Sequence, residues 1–233
     1  MPSIEFPADV FERYKRLKSL YDVSDAEMLE RMLKGVSTIA VNRKVLLEVW
    51  SRLEGLDERD VVDGVVKREF EWLLEERADV LSTAFVKQLQ GTIFWLSVVR
   101  WLDRYTSVDY KAFAGEVSLR LERNWRYSFG VVGYADVEWS HPQSSRRGVI
   151  DVKHGQGDVL YQSQLAVERV RYKQCKVKGL EYAVVISGYQ FPVKKETLRK
   201  LEESVGRIYM VERYAGLSEI FGGSSVKTST THH

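Results

Sequence analysis

Residues 133–164 read GYADVEWSHPQSSRRGVIDVKHGQGDVLYQSQ. With the two valines before them they hold two apolar, strand-like runs, VVGYADVEW (131–139) and GVIDVKHG (148–155). Each run carries an acid where a buried strand should carry something apolar. Side chains alternate between the two faces of a strand. Asp151 and Lys153 therefore share one face, and Ile150 and Val152 point to the other. Asp136 sits in the same way among Val132, Tyr134 and Glu138. Two acids and a lysine on adjacent strands are costly to bury unless they pair or bind a metal. Mg²⁺ or Mn²⁺ needs such an oxygen-rich pair.

Outward from this stretch the pattern is that of an α/β domain. His141 to Arg147 is a turn or loop, and Arg146 and Arg147 within it are candidates to meet phosphates. After Gly157 a helix from about Val159 carries Gln164, Arg169, Arg171, Lys173, Lys176 and Lys178. EYAVVISG (181–188) reads as a buried strand, 194–205 as an amphipathic helix and 207–212 as a last strand. Upstream, Tyr110, Phe113, Val117 and Leu121 have the spacing of a helix from Ser107, with Glu116 at the margin of its apolar face. Strands are expected at about 126–130 and 131–139. The glycines of Gly155-Gln156-Gly157 lack the rest of a phosphate loop. His141 reads as exposed and His154 as structural, facing away from the acids.

Asp136, a gap of fourteen residues, then Asp151-Val152-Lys153 resembles the core of the PD-(D/E)xK nuclease superfamily. Gly133-Tyr134-Ala135-Asp136 stands in place of the proline–aspartate, as in the RecB-like branch. Gln164-Leu165 is similar to that branch's glutamine motif, although Glu168 occupies the usual tyrosine position. The RecB-like histidine is missing upstream. Glu116, or alternatively Glu122, takes the place of an acid as in archaeal Holliday-junction resolvases. The resemblance covers about residues 107–214, and its motifs are short. It implies a restriction-endonuclease-like mixed sheet flanked by helices. It also implies a metal-dependent DNA nuclease, acting as a homodimer and cutting branched DNA in the resolvase-like version. In that reading Asp136, Asp151 and the Val152 carbonyl hold Mg²⁺ or Mn²⁺, with Glu116 completing the site. Such an ion lowers the pKa of water and stabilises charge on the phosphate. Lys153 and Gln164 would orient the attacking water or a phosphate oxygen, and Arg146, Arg147, Arg169, Arg171 and Lys173 would bind nucleic acid. The rivals are a DNA-binding protein with an inactive nuclease-like domain and a helical interaction protein.

The first 106 residues read as helical. Residues 3–6 alternate like a short strand and end at Pro7. A helix follows, and then a second one with Ser24 and Glu27 as its capping box, which Gly35 is expected to end. Strand, helix and capped helix over residues 1–35 resemble a ribbon-helix-helix unit, which would be dimeric. Residues 36–106 form a helical region in which four of the six tryptophans concentrate as core. The stretch Gln88–Val99 is apolar but too short to span a bilayer, so a buried helix is expected.

The net charge of +2 hides a split. Residues 106–214 hold 18 Lys/Arg against 13 Asp/Glu, and the rest 17 against 20. A basic half favours a polyanion ligand. A single cysteine, Cys175, excludes a disulfide framework or a four-cysteine iron–sulfur cluster within one chain. Glu5, Asp9 and Glu12 interrupt the N-terminus, so no secretory signal is expected and a cytoplasmic setting is. Residues 215–233 form a polar tail whose closing histidines look like a purification-tag remnant.

Overall fold

The computed structural model describes residues 15, 24–77, 81, 83–126, 128–131, 135–154, 162–187 and 195–222, without the side chains of residues 28, 31–41, 83, 84, 116, 162–164 and 195–198. The chain divides into two compact units, Met1–Val41 and Asn42–His233.

In the first unit, the ribbon pattern of residues 3–6 and the helix expected after it lie outside the described residues. The capping expectation holds at Ser24, whose Oγ accepts the Glu27 backbone N–H at 3.2 Å. Gly35 does not end the helix that follows. That helix, α1, runs from Asp25–Arg52 without a break, through the unit boundary. One interior glycine costs only about 1 kcal/mol relative to alanine, too little to stop 28 residues.

The second unit is an α/β layer structure. Its helices α2 (Val62–Arg77) and α3 (Thr83–Tyr105) precede a six-stranded mixed sheet. The strands are β1 (Asp109–Ala114), β2 (Leu119–Arg123), β3 (Val137–Ser140), β4 (Arg147–His154), β5 (Glu181–Ser187) and β6 (Arg207–Val211). Helix α4 (Gln162–Val177) links β4 to β5, and α5 (Lys195–Val205) links β5 to β6. A 3₁₀ segment, Tyr214–Phe221, follows. The order across the sheet is β2-β1-β3-β4-β5-β6. The pairings through β4 are antiparallel, and β4–β5 and β5–β6 are parallel. Each parallel pair is joined through a helix, because parallel strands need a long crossover.

Residues 107–121 correct the helical expectation. They form β1, a 3₁₀ turn at Gly115–Val117 and the start of β2. The buried side chains on β1 are Tyr110, Ala112 and Ala114, a period of two. Antiparallel pairing of β1 with both β2 and β3 satisfies its backbone and overrides the local helical spacing. The strand expected at 126–130 does not form at its described residues. Asn124 and Gly130 both have positive φ (54° and 58°), which turns the chain out of extended geometry.

Helix α3 packs on β4 and buries Leu89, Ile93, Phe94, Leu96 and Trp101. On the opposite side Val149, Val184 and Ile186 meet Leu165, Tyr172 and Cys175 of α4 and Leu201 and Val205 of α5. Each fully buried Leu or Ile contributes roughly 1.5–3 kcal/mol. At Gly148 a Cβ would fall 2.5 Å from the Glu181 carbonyl oxygen, so glycine is what allows the start of β4 to lie against β5. Among the described residues no helix is long and apolar enough to cross a membrane.

Candidate functional site

The acids of the sequence motif meet. Asp136 ends the segment leading into β3, and its Oδ2 accepts the Val152 N–H of β4 at 2.7 Å. Asp151, in the middle of β4, is fully buried. Its Oδ2 accepts from Arg171 Nη1 of α4 and, at 2.9 Å, from the Tyr182 hydroxyl of β5. Lys153 Nζ lies 3.6 Å from the same oxygen. The other oxygen, Asp151 Oδ1, is buried and, like Glu168 Oε1, has no hydrogen-bond partner among the described residues apart from a neighbouring carboxyl when that is protonated.

A further acid completes the cluster. Glu168 of α4 is 0% exposed. Its Oε1 lies 3.3 Å from Lys153 Nζ, and its Oε2 is in hydrogen-bond contact with the Tyr182 oxygen, whose single proton serves either this oxygen or Asp151 Oδ2. In the sequence Glu168 stands out only as the residue in the tyrosine position of the glutamine motif. The signal that finds it is the helical spacing Leu165, Glu168, Tyr172, Cys175, which places a carboxyl on a face otherwise packed against the sheet. A phenol does reach this spot, but from Tyr182 on the next strand.

Burial sets the protonation of the cluster. Burial and the Asp151 charge push the Asp136 carboxyl well above the usual carboxylate range, with Lys153 opposing. Burial alone would raise Asp151 as well. Its hydrogen bond with Glu168 and the charges of Lys153 and Arg171 outweigh that and hold it well below the usual range. Burial and contact with Asp151 push Glu168 up to about 7. For Lys153 burial works against the ammonium, but Asp151, Asp136 and Glu168 together raise its pKa.

Asp136 and Lys153 line a cleft of about 740 Å³, whereas Asp151 and Glu168 are fully buried and do not line it. Lys87, Gln88, Gly91, Thr92 and Trp95 of α3 form one wall, and Phe113 to Gly115 form another. Asp136, Val152, Lys153, His154 and Arg171 complete the lining. The Trp95 indole N–H donates to the Asp136 carbonyl at 3.0 Å and so ties α3 to the site. His154, which also lines the cleft, faces α3, with its ring 6.3 Å from that of Phe94 and its Nδ1 2.6 Å from Ser187 Oγ.

The other expected site residues differ in their placement. Glu116 is in the 3₁₀ turn between β1 and β2 rather than on a helix, and its side chain is outside the described residues. Glu122 is on the edge strand β2, with β1 between it and β3, and it pairs with Arg120 at 2.5 Å. Gln164 lies in the first turn of α4, its side chain also outside the described residues. Arg146 is committed to structure. It grips Glu181 through Nε (2.7 Å) and Nη2 (3.0 Å) and donates to the Phe221 carbonyl at 2.8 Å. Arg147, Arg169 and Lys173 are exposed. Arg171, expected on the same solvated face, instead turns inward onto Asp151.

Among the described residues no group of three or more His, Cys, Asp or Glu side chains is disposed to hold a metal ion. A Mg²⁺-sized ion does not need one, since it is commonly held by one or two carboxylates with water and phosphate. Asp136, Asp151 and the Val152 carbonyl make that kind of donor set. The buried Asp151 Oδ1, lacking a donor beside a second carboxyl, fits a cation.

No protein-family profile matches the chain, and no solved structure matches it. In sequence, 131 residues, 54% of the chain, are 29% identical to part of the histidine–tRNA ligase of Pyrobaculum calidifontis. The chain spans 29% of that protein's length.

Proposed function

We propose that this protein is a metal-dependent nuclease that hydrolyses phosphodiester bonds, with DNA as substrate and Mg²⁺ or Mn²⁺ as cofactor. The observation that carries this reading is the Asp136–Asp151 pair, one oxygen of which is buried without a donor while Lys153 stands beside it. The element order supports it too. A helix, four antiparallel strands in the order β2-β1-β3-β4, a helix and a parallel strand surround the motif, a mixed sheet flanked by helices.

In this reading Asp136 and Asp151 hold the ion with the Val152 carbonyl. Bound there, the ion would supply activation of water and stabilisation of phosphate charge. Lys153, kept protonated by the three surrounding acids, neutralises charge on the phosphate and orients the nucleophile. Glu168 and Tyr182 fix the positions of Lys153 and Asp151. The exposed Arg147, Arg169 and Lys173 offer contacts to the nucleic-acid backbone. A homodimer is part of the proposal, and light scattering would test it.

A second reading keeps the chemistry and changes the polymer. The relative is a tRNA ligase, which favours including RNA among the substrates. The deciding assay offers Mg²⁺ or Mn²⁺ with labelled single-stranded DNA, duplex, four-way junction and tRNA, beside D151N and K153A checked for folding. Metal-dependent cutting by the wild type that both variants lose supports the proposal, and the substrate ranking chooses the polymer. Binding without cutting would favour a DNA-binding protein with an inactive nuclease-like domain.

A further inference from the structure

The inward face of α4 carries two charged side chains, Glu168 and Arg171, among Leu165, Tyr172 and Cys175. A buried ion pair of this kind returns little stability, because desolvation offsets the attraction. The neighbouring Arg169 and Lys173 avoid that cost by staying in solvent. Arg171 does not. Its side chain is 13% exposed, and its Nη1 bonds Asp151 Oδ2. The same residue lines the cleft with Asp136, Val152 and Lys153. One guanidinium thus touches the central carboxylate and borders the space where a phosphate would lie. Asp151 is correspondingly lopsided, with Arg171 and Tyr182 on Oδ2 and, among the described residues, no N–H donor on Oδ1.

We propose that Arg171 is the phosphate-binding residue of this site, held on Asp151 as an internal counter-ion until a divalent cation takes over that role. The inference rests on the nuclease reading. Without the cation, Arg171 and Lys153 balance Asp151. A cation held by Asp136 and Asp151 would offset the Asp151 charge, and Arg171 would then lose much of its attraction to the carboxylate. Its planar fork then suits two oxygens of an incoming phosphate. No covalent step is involved. A merely structural Arg171 would steady Asp151, so its removal would weaken metal binding. A counter-ion that competes for Asp151 gives the opposite sign.

The test uses the full chain as wild type, R171Q and R171K. Mn²⁺ is titrated calorimetrically without substrate. A labelled single-stranded oligonucleotide is then bound in Ca²⁺, and kcat and KM are measured at saturating Mn²⁺. R171Q should bind Mn²⁺ roughly fivefold tighter, since a neighbouring positive charge is gone. It should bind the oligonucleotide about tenfold more weakly and lose about 100-fold in kcat. R171K should keep the wild-type Mn²⁺ affinity and still bind the oligonucleotide more weakly, because the fork is lost. Unchanged or weaker Mn²⁺ binding by R171Q overturns the proposal, as does unchanged oligonucleotide binding or a wild type that binds no Mn²⁺. If R171Q does not fold, R171K decides, and wild-type oligonucleotide affinity in it overturns the proposal. A wild type that binds Mn²⁺ and oligonucleotide but cuts nothing defeats the nuclease reading alone, and the two binding arms still judge Arg171.

Discussion

Glu69 in the helical region and Asp151 in the sheet are both buried acids that arginines reach, and they are built differently. Glu69 is 1% exposed, and its carboxylate is shared evenly. Arg52 Nε bonds Oε2 at 2.5 Å, and Arg68 Nε bonds Oε1 at 2.8 Å. Arg52 also lies over the Trp72 ring at 4.1 Å, which fixes the clamp. Asp151 has its donors crowded on one oxygen and none on the other, beside a second carboxyl raised by burial. An evenly satisfied acid serves the fold. An unevenly satisfied one leaves an acceptor for something the chain does not itself provide.

Substitution should separate the two. The largest effect is expected for D136N, which removes an oxygen proposed to hold the metal and the buried carboxylate's repulsion of Asp151. Metal-dependent cleavage should fall by about a thousandfold or more. Thermal melting of the metal-free protein at pH 8 should rise, as when a destabilised active site is relieved. E69A should do the reverse. Breaking a buried pair costs about 3–5 kcal/mol, read by urea unfolding, while activity per folded molecule stays near wild type. If D136N instead lowers the melting temperature and leaves cleavage intact, the contrast between the two acids is lost.

Next in size is the pH response in EDTA. The folded pKa of Glu168 is about 7, above the ordinary value of 4.5. For an acid raised in this way, the stabilising contribution is fully present below the unfolded value and is lost as pH rises through the folded one. The melting temperature should therefore fall between about pH 5 and 8. E168Q, which keeps the shape of the protonated form, should flatten that slope. An equal slope in E168Q would show that Glu168 is not the group responsible.

A smaller change is expected for Y182F, which removes a hydroxyl from both Asp151 and Glu168. It should cost about 1–2 kcal/mol of stability. It should lower kcat about tenfold with KM little changed, because the phenol orients the acids rather than touching substrate. The smallest effect is expected for E122Q on edge strand β2. Cleavage rate and metal affinity should both stay within about twofold of wild type, as for an exposed ion pair. A large loss there would restore Glu122 as the third acid.

The shared face of Asp151 and Lys153 is legible in the sequence, because alternation along a strand is a local geometric rule, and the pairing of β3 with β4 then brings Asp136 beside them. The sequence by itself also announced the α4–β5–α5–β6 succession and the buried character of α3, where long runs of one period leave little choice. Tertiary structure alone decided the rest. Residues 109–114 and 119–123 became strands because they pair with each other and the first of them also pairs with Val137–Ser140, and no local spacing reports a distant partner. Arg171 and Glu168 turned inward, and Tyr182 joined them across the sheet, because the rotation of α4 over β4 and β5 is fixed by packing. Arg146 was claimed by Glu181 and the Phe221 carbonyl for the same reason. A side chain's partner is a property of the packed chain, and the residues just beside it in sequence do not specify that partner.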